Sequence, residues 1–165
     1  MSGQNKVYTF RATIIPDEAI LMRGIIKHEK LKSKKVPWRE ITITENASLY
    51  KLAEQIVKSF DFSFDHCFGF FDNIETIFNR DSKRYYELFT DIPDIEPTGA
   101  KSVEKTKISQ VWKKAGDKML FLFDYGDDWR FIVELKKISN AGLGKKYPII
   151  LEKLGESPEQ YPDCK

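Results

Sequence analysis

The sequence contains few cysteines, and neither of the two is placed for pairing or for metal binding. Cys67 and Cys164 lie 97 positions apart, and no Cys-x-x-Cys or His-x-x-x-His spacing occurs. A disulfide framework and a sequence-local zinc site are therefore not expected. Both thiols are predicted to be free, in a reducing compartment.

Long apolar runs are also missing. No uninterrupted apolar stretch approaches the length of a membrane span, and residues 1–6 are largely polar where a signal peptide would need an apolar segment. The sequence therefore predicts a cytoplasmic protein without a membrane partner.

A strong charge of either sign is absent as well. The 27 Lys and Arg residues against 25 Asp and Glu leave a formal charge of +2. Attraction to nucleic acid therefore has to come from a local patch. With 165 residues, 41% of them hydrophobic and twelve of them Phe, the chain can bury one substantial core. We predict a single domain over residues 1–165.

Familiar catalytic motifs do not occur. There is no Gly-x-Ser-x-Gly elbow, and residues 140–146 (NAGLGKK) lack the spacing of a phosphate-binding loop. Cys67 lies in an apolar run and is predicted to be buried and inert. His66 begins the same run and is predicted to be half-buried and structural, whereas His28, among lysines, is predicted to be solvated.

Hydrophobic periodicity predicts several strands and one main helix. The predicted elements are strands over residues 7–15, 38–44, 66–71, 119–123, 130–138 and 148–154, an amphipathic helix over residues 49–60 and a helical turn over residues 108–112. Ser48 is the expected N-cap of the helix. Residues 17–35 fit either a short helix broken near Gly24 or a strand leading into a basic loop, and residues 72–107 are predicted to be mostly loop.

An acidic segment, FDYGDDW at residues 123–129, joins two of the predicted strands. Its carboxylates are those of Asp124, Asp127 and Asp128. A similar pattern holds cations in viral RNA polymerases, but the chain lacks the length and the further carboxylate motif of a polymerase. We favour a hairpin turn in which Gly126 supplies a positive φ and Asp side chains accept backbone amides. Repulsion among the carboxylates also predicts a positive group nearby, such as Arg39, Arg130 or a cation.

A basic stretch covers residues 23–39, where seven basic residues against one acid, Glu29, give a local charge of +6. The basic residues are Arg23, Lys27, Lys30, Lys32, Lys34, Lys35 and Arg39. Such a run can bind phosphates, although a solvated loop is its more common role.

Several motifs together resemble the Ri-plasmid ORF-3-like family, small proteins often encoded on plasmids or mobile elements. The matching pieces are Trp38-Arg39 opening a strand, the Leu49-x-x-Leu52 helix, Asp65-His66 before FGFF, Lys107-Ile108 before Gly116-Asp117-Lys118, Tyr147-Pro148 and Ser157-Pro158-Glu159. The most specific match is residues 124–129, which correspond to the YDFGDDW block of the family. The resemblance spans roughly residues 7–163.

The resemblance implies an α+β fold: a mixed sheet with one main packed helix, in a β-grasp-like ββαβ(β)β outline. It implies little about activity. Members have been labelled resolvases, but the sequence has no serine-nucleophile context and no helix-turn-helix. The ending also departs from the family pattern, because Ser157-Pro158-Glu159-Gln160 lacks the usual Cys and Asp.

Three functional hypotheses follow. The first is a non-enzymatic binding or accessory module, associated with mobile elements, whose conspicuous residues converge at one edge of the sheet to contact a protein or peptide. These candidates are Trp38, Arg39, His66, Asp124, Asp127, Asp128, Trp129 and Glu159. Its structural counterpart is an ion pair of Arg39 with Asp127 or Asp128.

The second hypothesis is a divalent-metal-dependent phosphodiester hydrolase. Its metal ligands would be Asp124, Asp127, Asp128 and Glu159, and His66 would act as acid or base. The third is nucleic-acid binding through residues 23–39. No other cofactor is predicted, and whether the protein is an enzyme stays open at this point.

Overall fold

The described part of the chain, residues 5–88 and 99–162 of a computed structural model, forms one eight-stranded sheet. The strands are β1 (Lys6–Ile14), β2 (Trp38–Thr44), β3 (Phe68–Phe71), β4 (Tyr85–Glu87), β5 (Lys101–Ser102), β6 (Lys118–Phe123), β7 (Trp129–Asn140) and β8 (Ile149–Leu154). Their order across the sheet is β5-β4-β3-β6-β7-β1-β2-β8.

The sheet is mixed and the helices are few, which confirms the predicted α+β class. β4 and β5 are parallel, and the other neighbouring strands are antiparallel. The finer β-grasp-like outline is not confirmed, because β1 is antiparallel to both of its neighbours, β2 and β7.

Most predicted strands occur close to their predicted bounds. β2 matches its prediction, and β1, β6, β7 and β8 begin and end within one or two residues of theirs. β3 begins only at Phe68, and the residues before it, Asp65, His66 and Cys67, are exposed. β4 and β5 lie in the stretch predicted to be loop, of which residues 89–98 fall outside the described residues.

Helix α1 (Leu49–Ser59) packs its apolar side against one face of the sheet. Ser48 caps it as predicted, since its hydroxyl accepts a hydrogen bond from Lys51 N at 3.1 Å. The predicted helical turn is α2 (Ile108–Val111), which is followed by the buried Trp112. No helix among the described residues combines the length and the apolar character required to cross a membrane.

The opposite face of the sheet is only partly covered. Three 3₁₀ helices, Asp17–Ala19, Met22–Gly24 and His28–Lys32, occupy the stretch whose structure the sequence left open. Neither a regular helix nor a continuous strand forms there, because Arg23 (φ 64°) and Gly24 (φ 73°) both adopt the left-handed conformation. Ala19 and Ile26 of this layer pack on Leu120, Leu122 and Ile132 of the sheet.

Arg39 is a buried cation on the helix-covered face of β2, with 2% of its surface exposed. Its Nε donates to Ser59 O at the end of α1 (2.8 Å), and Nη1 donates to Leu154 O at the end of β8 (2.9 Å). Nη2 donates to Ser157 Oγ at 2.8 Å, and the guanidinium lies 4.5 Å from the Phe60 ring centre. One side chain therefore joins strand, helix and C-terminal tail.

This placement contradicts the predicted ion pair of Arg39 with Asp127 or Asp128. The alternation of β2 puts Arg39 on the side of α1, where backbone carbonyls take up its donors. Burial lowers the pKa of Arg39, and the charge of the Asp61 carboxylate opposes that effect. Arg39 is therefore structural rather than part of the acidic hairpin.

We expect Arg39→Met to lower the free energy of unfolding by about 2–4 kcal/mol, because two buried carbonyls lose their donors while side-chain volume is largely kept. Urea unfolding followed by circular dichroism measures the loss. Lys35→Met, at an exposed position, is the control and should stay within about 0.5 kcal/mol of the parent. Equal effects of the two substitutions would contradict the assignment.

Candidate functional site

The β6–β7 turn is organised by Asp124, a residue that is only 4% exposed. Its Oδ1 accepts the backbone amides of Gly126 (3.1 Å) and Asp127 (3.3 Å), and its carbonyl accepts the amide of Asp128. The positive φ angles belong to Asp124 (65°) and Asp128 (55°), not to Gly126 as predicted. Asp tolerates this conformation because its short side chain bonds the local backbone.

Tyr125 fixes the turn to the neighbouring part of the sheet. Its hydroxyl donates to Glu87 Oε2 at 2.6 Å, and the other oxygen of this buried carboxylate accepts from Arg80 Nη1 at 2.7 Å. Gly69 leaves room for the hydroxyl, which would lie 2.9 Å from a Cβ at that position. Burial, followed by the bond to Glu87, raises the pKa of Tyr125. Nothing in the local sequence signalled this contact.

An Asp–His–Tyr cluster, formed by Asp65, His66, Asp124 and Tyr161, lies beside the turn. His66 Nδ1 donates to Asp65 Oδ1 at 2.6 Å and is 3.5 Å from Asp124 Oδ2, a buried oxygen without a hydrogen-bond partner among the described residues. The Tyr161 hydroxyl donates to Asp65 Oδ2 at 2.9 Å and is 3.0 Å from His66 Nδ1. With 41% of its side chain exposed, His66 is not the half-buried residue predicted.

The cluster shifts the protonation of its members. The hydrogen bond with Asp65 raises the pKa of His66, and the charges of Asp124 and Asp127 act in the same direction against desolvation. Desolvation acts to raise the pKa of Asp65, but hydrogen bonds from His66 and Tyr161 outweigh it, so the pKa of Asp65 is lowered. Desolvation and the bond to Asp65 raise the pKa of Tyr161 to about 12. The cluster therefore favours a protonated imidazole beside ionised carboxylates.

The C-terminal tail is attached to the segment that carries His66. Gln160 accepts from Ser63 N at 2.7 Å and donates to Ser63 O at 3.1 Å, next to the contact of Tyr161 with Asp65. The C-terminal residues that differ from the family pattern therefore contact the site. Glu159, a predicted site residue in this loop, is exposed, and its side chain forms no hydrogen bond or ion pair with the described residues.

The carboxylates of the hairpin do not form a set of metal ligands. Asp124 is occupied by backbone amides, Asp127 is exposed, and Asp128 lies 3.5 Å from Arg130 Nη2. Over residues 5–88 and 99–162, no group of three or more His, Cys, Asp or Glu side chains is arranged to hold a metal ion. The predicted positive neighbour of the hairpin is Arg130, together with His66.

Cys67 differs from its prediction, because it is exposed and precedes β3. It borders a cavity of about 430 Å³ that it shares with Asp65, His66 and Tyr50. Desolvation at the thiol, followed by the charge of Asp124, raises the pKa of Cys67. A reactive thiolate is therefore disfavoured despite the exposure. Cys164 lies outside the described residues.

A second cavity at this end of the sheet, the acidic cleft, has a volume of about 380 Å³. Its walls are Ile14, Ile15, Pro16, Asp17, Pro37, Asp127, Asp128, Trp129, Arg130, Glu156 and Pro158. Four acids and one arginine give these walls a formal charge of −3. Three of the predicted site residues, Asp127, Asp128 and Trp129, therefore meet here, with partners from β1 and the tail that sequence spacing did not indicate.

Two buried donors in the walls of the acidic cleft have no acceptor among the described residues. They are the indole Nε1 of Trp129 and the guanidinium Nε of Arg130. Trp38, by contrast, lies on the open face of the sheet, away from these walls.

We expect Asp124→Ala to lower the free energy of unfolding by about 2 kcal/mol, because it removes the acceptor for the turn amides and leaves Ala at a positive φ. Asp124→Asn should retain most of the stability, since Asn tolerates the same conformation. Asp127→Ala should change it by less than about 0.5 kcal/mol. Thermal unfolding of the three variants tests this, and a larger loss in Asp127→Ala than in Asp124→Ala would contradict it.

We expect His66 to titrate above the ordinary histidine pKa of about 6.5, and closer to it in Asp65→Asn. Because the folded pKa is raised, protonated His66 stabilises the fold below pH 6.5 or so, and this contribution is lost as the pH rises through the folded value. NMR titration of the imidazole measures the pKa, and unfolding of the parent and His66→Gln across that range measures the stability. A pKa unaffected by Asp65→Asn would contradict the cluster.

Comparison with known proteins places these features in a family. Curated proteins give no match. A similar fold occurs in the crystal structure of a protein of unknown function, MM3350, from Methanosarcina mazei Go1, with a TM-score of 0.63 and 21% identity over 92% of this chain and 70% of that chain. The profile of the plasmid pRiA4b ORF-3-like proteins matches residues 28–164, which include the whole hairpin and the tail. As the sequence motifs predicted, the chain belongs to the plasmid pRiA4b ORF-3-like protein family.

Proposed function

We propose that the protein is a non-enzymatic binding module that holds a basic, extended segment of a partner protein in the acidic cleft. The observation that carries the proposal is the formal charge of −3 on the walls of the acidic cleft, which is opposite in sign to the charge of such a ligand. Asp17, Asp127 and Glu156 have no ion pair among the described residues, so their charge is available to Lys or Arg side chains of the partner.

An extended polypeptide is favoured over a simple cation, because several of its basic side chains can pair with Asp17, Asp127 and Glu156 at the same time.

The walls also suit a peptide. Pro16, Pro37 and Pro158 together with Ile14 and Ile15 give apolar surface between the charges. A volume of about 380 Å³ falls in the range of specific ligand sites, roughly 300–1,000 Å³, where apolar walls surround a few polar groups. The cleft could therefore take a few side chains of the partner.

Hydrolysis of a phosphodiester is less well supported. The hydrolase hypothesis needs clustered metal ligands, and the described carboxylates of the hairpin face separate partners. His66, its candidate acid or base, is bonded to Asp65 and does not line the acidic cleft.

Binding to an array of random octapeptides tests the proposal. We expect the parent protein to select peptides rich in Lys and Arg, and Asp127→Asn/Asp128→Asn to bind the selected peptides at least about tenfold more weakly, since charge pairs at interfaces contribute strongly to recognition.

Glu104→Gln and Glu152→Gln, combined in one variant, give the matched control, because they remove the same charge at exposed positions outside the acidic cleft. Equal weakening by this control would show that only net charge matters. Selection of acidic or uncharged peptides would overturn the proposal.

A further inference from the structure

The open face of the sheet carries a groove, here called the basic groove, with a volume of about 680 Å³. Its floor is formed by β1, β6 and β7, and one wall is formed by the His28–Lys32 helix and the residues that follow it. No residue lines both this groove and the acidic cleft. It is therefore a separate surface of the protein.

Five cations and one acid line the basic groove, a local charge of +4 in a chain whose total is +2. The cations are Arg11, Lys32, Lys34, Lys118 and Lys136. Lys136 lies 3.8 Å from Glu134, whereas Lys32, Lys34 and Lys118 are exposed and have no ion pair within the described residues. Three uncompensated ammonium groups facing one concave surface attract a polyanion.

The groove also contains a fixed planar surface. The Arg11 guanidinium lies 3.9 Å from the ring centre of Trp38, and its Nε and Nη2 both contact Glu40 Oε2, at 2.9 and 2.8 Å. Arginine planes and aromatic rings are the groups on which unpaired bases stack. The lysines beside Arg11 and Trp38 can bind the phosphates of a single strand while its bases stack on this planar surface.

The wall of the groove is held in place without a ligand. His28 Nε2 lies 2.7 Å from Ile74 O and is half-buried, contrary to its predicted solvation, and Lys30 Nζ donates to Glu18 O at 2.9 Å. These bonds set the position from which Lys32 and Lys34 extend. A preformed wall reduces the ordering cost of binding.

From these observations we infer that the basic groove binds single-stranded nucleic acid. The inference revises the role of residues 23–39, because Arg39 is buried and Lys30 anchors the wall, so only part of that stretch faces the ligand. Arg11, Lys118 and Lys136, from distant strands, supply the remaining charge. A duplex is disfavoured, since stacking on the Arg11 and Trp38 surface requires unpaired bases.

Fluorescence anisotropy with a labelled oligothymidylate of about 20 nucleotides tests the inference. At about 50 mM salt we expect binding that weakens steeply as salt is added, and at least about tenfold weaker binding by Lys32→Gln/Lys34→Gln/Lys118→Gln. The plot of log affinity against log salt should become less steep by about 2 in this variant, because each of three lost phosphate contacts on a single strand contributes about 0.7 to the slope. Trp38→Leu should weaken binding without changing that slope.

Lys51→Gln/Lys58→Gln/Lys113→Gln is the matched control, with the same change of charge at exposed positions away from the groove. Equal losses in the two triple variants would overturn the inference, as would tighter binding of the corresponding duplex or of polyglutamate. Absence of binding at low salt would also overturn it. Asp127→Asn/Asp128→Asn should bind the strand like the parent protein, so this result is independent of the acidic cleft.

Discussion

The buried guanidinium of Arg39 is the constraint on which the functional end of the molecule depends. Removing a charge from water is costly unless hydrogen bonds replace the solvent, and here the carbonyls of Ser59 and Leu154 and the hydroxyl of Ser157 do so. Because these partners belong to a helix, a strand and the tail, their positions are coupled. The tail that follows then reaches Asp65 and His66, and its beginning forms a wall of the acidic cleft.

Some residues of the acidic hairpin stabilise the turn, and others lie exposed at the surface. Asp124 is buried and bonds the turn amides, whereas Tyr125 is 39% exposed and bonds Glu87 through its hydroxyl. Asp127 and Asp128, which follow, are exposed. Together with Trp129 they line the acidic cleft. A conspicuous run of carboxylates can therefore identify a family even though its members have different surroundings.

The pattern of apolar and polar residues in the sequence predicted those features of the fold that depend on neighbouring residues. The alternation of β2, the amphipathic side of α1 with its Ser48 cap and the β6–β7 hairpin all follow from side-chain period and capping. Contacts between distant residues were beyond that reasoning. The approach of Tyr161 to His66 is one example, the pairing of Tyr125 with Glu87 is another, and the left-handed φ at Asp124 rather than Gly126 was decided by a side-chain bond.

A nearly neutral chain can still carry two strongly charged surfaces. The walls of the acidic cleft sum to −3 and those of the basic groove to +4, so the total of +2 conceals both. Screening confines the field of exposed charges to about 8 Å at physiological salt, so each surface acts on ligands close to it. The net charge therefore does not report the local attraction that either surface exerts. What determines attraction is which lysines the fold gathers beside Arg11, and which carboxylates it gathers beside Trp129.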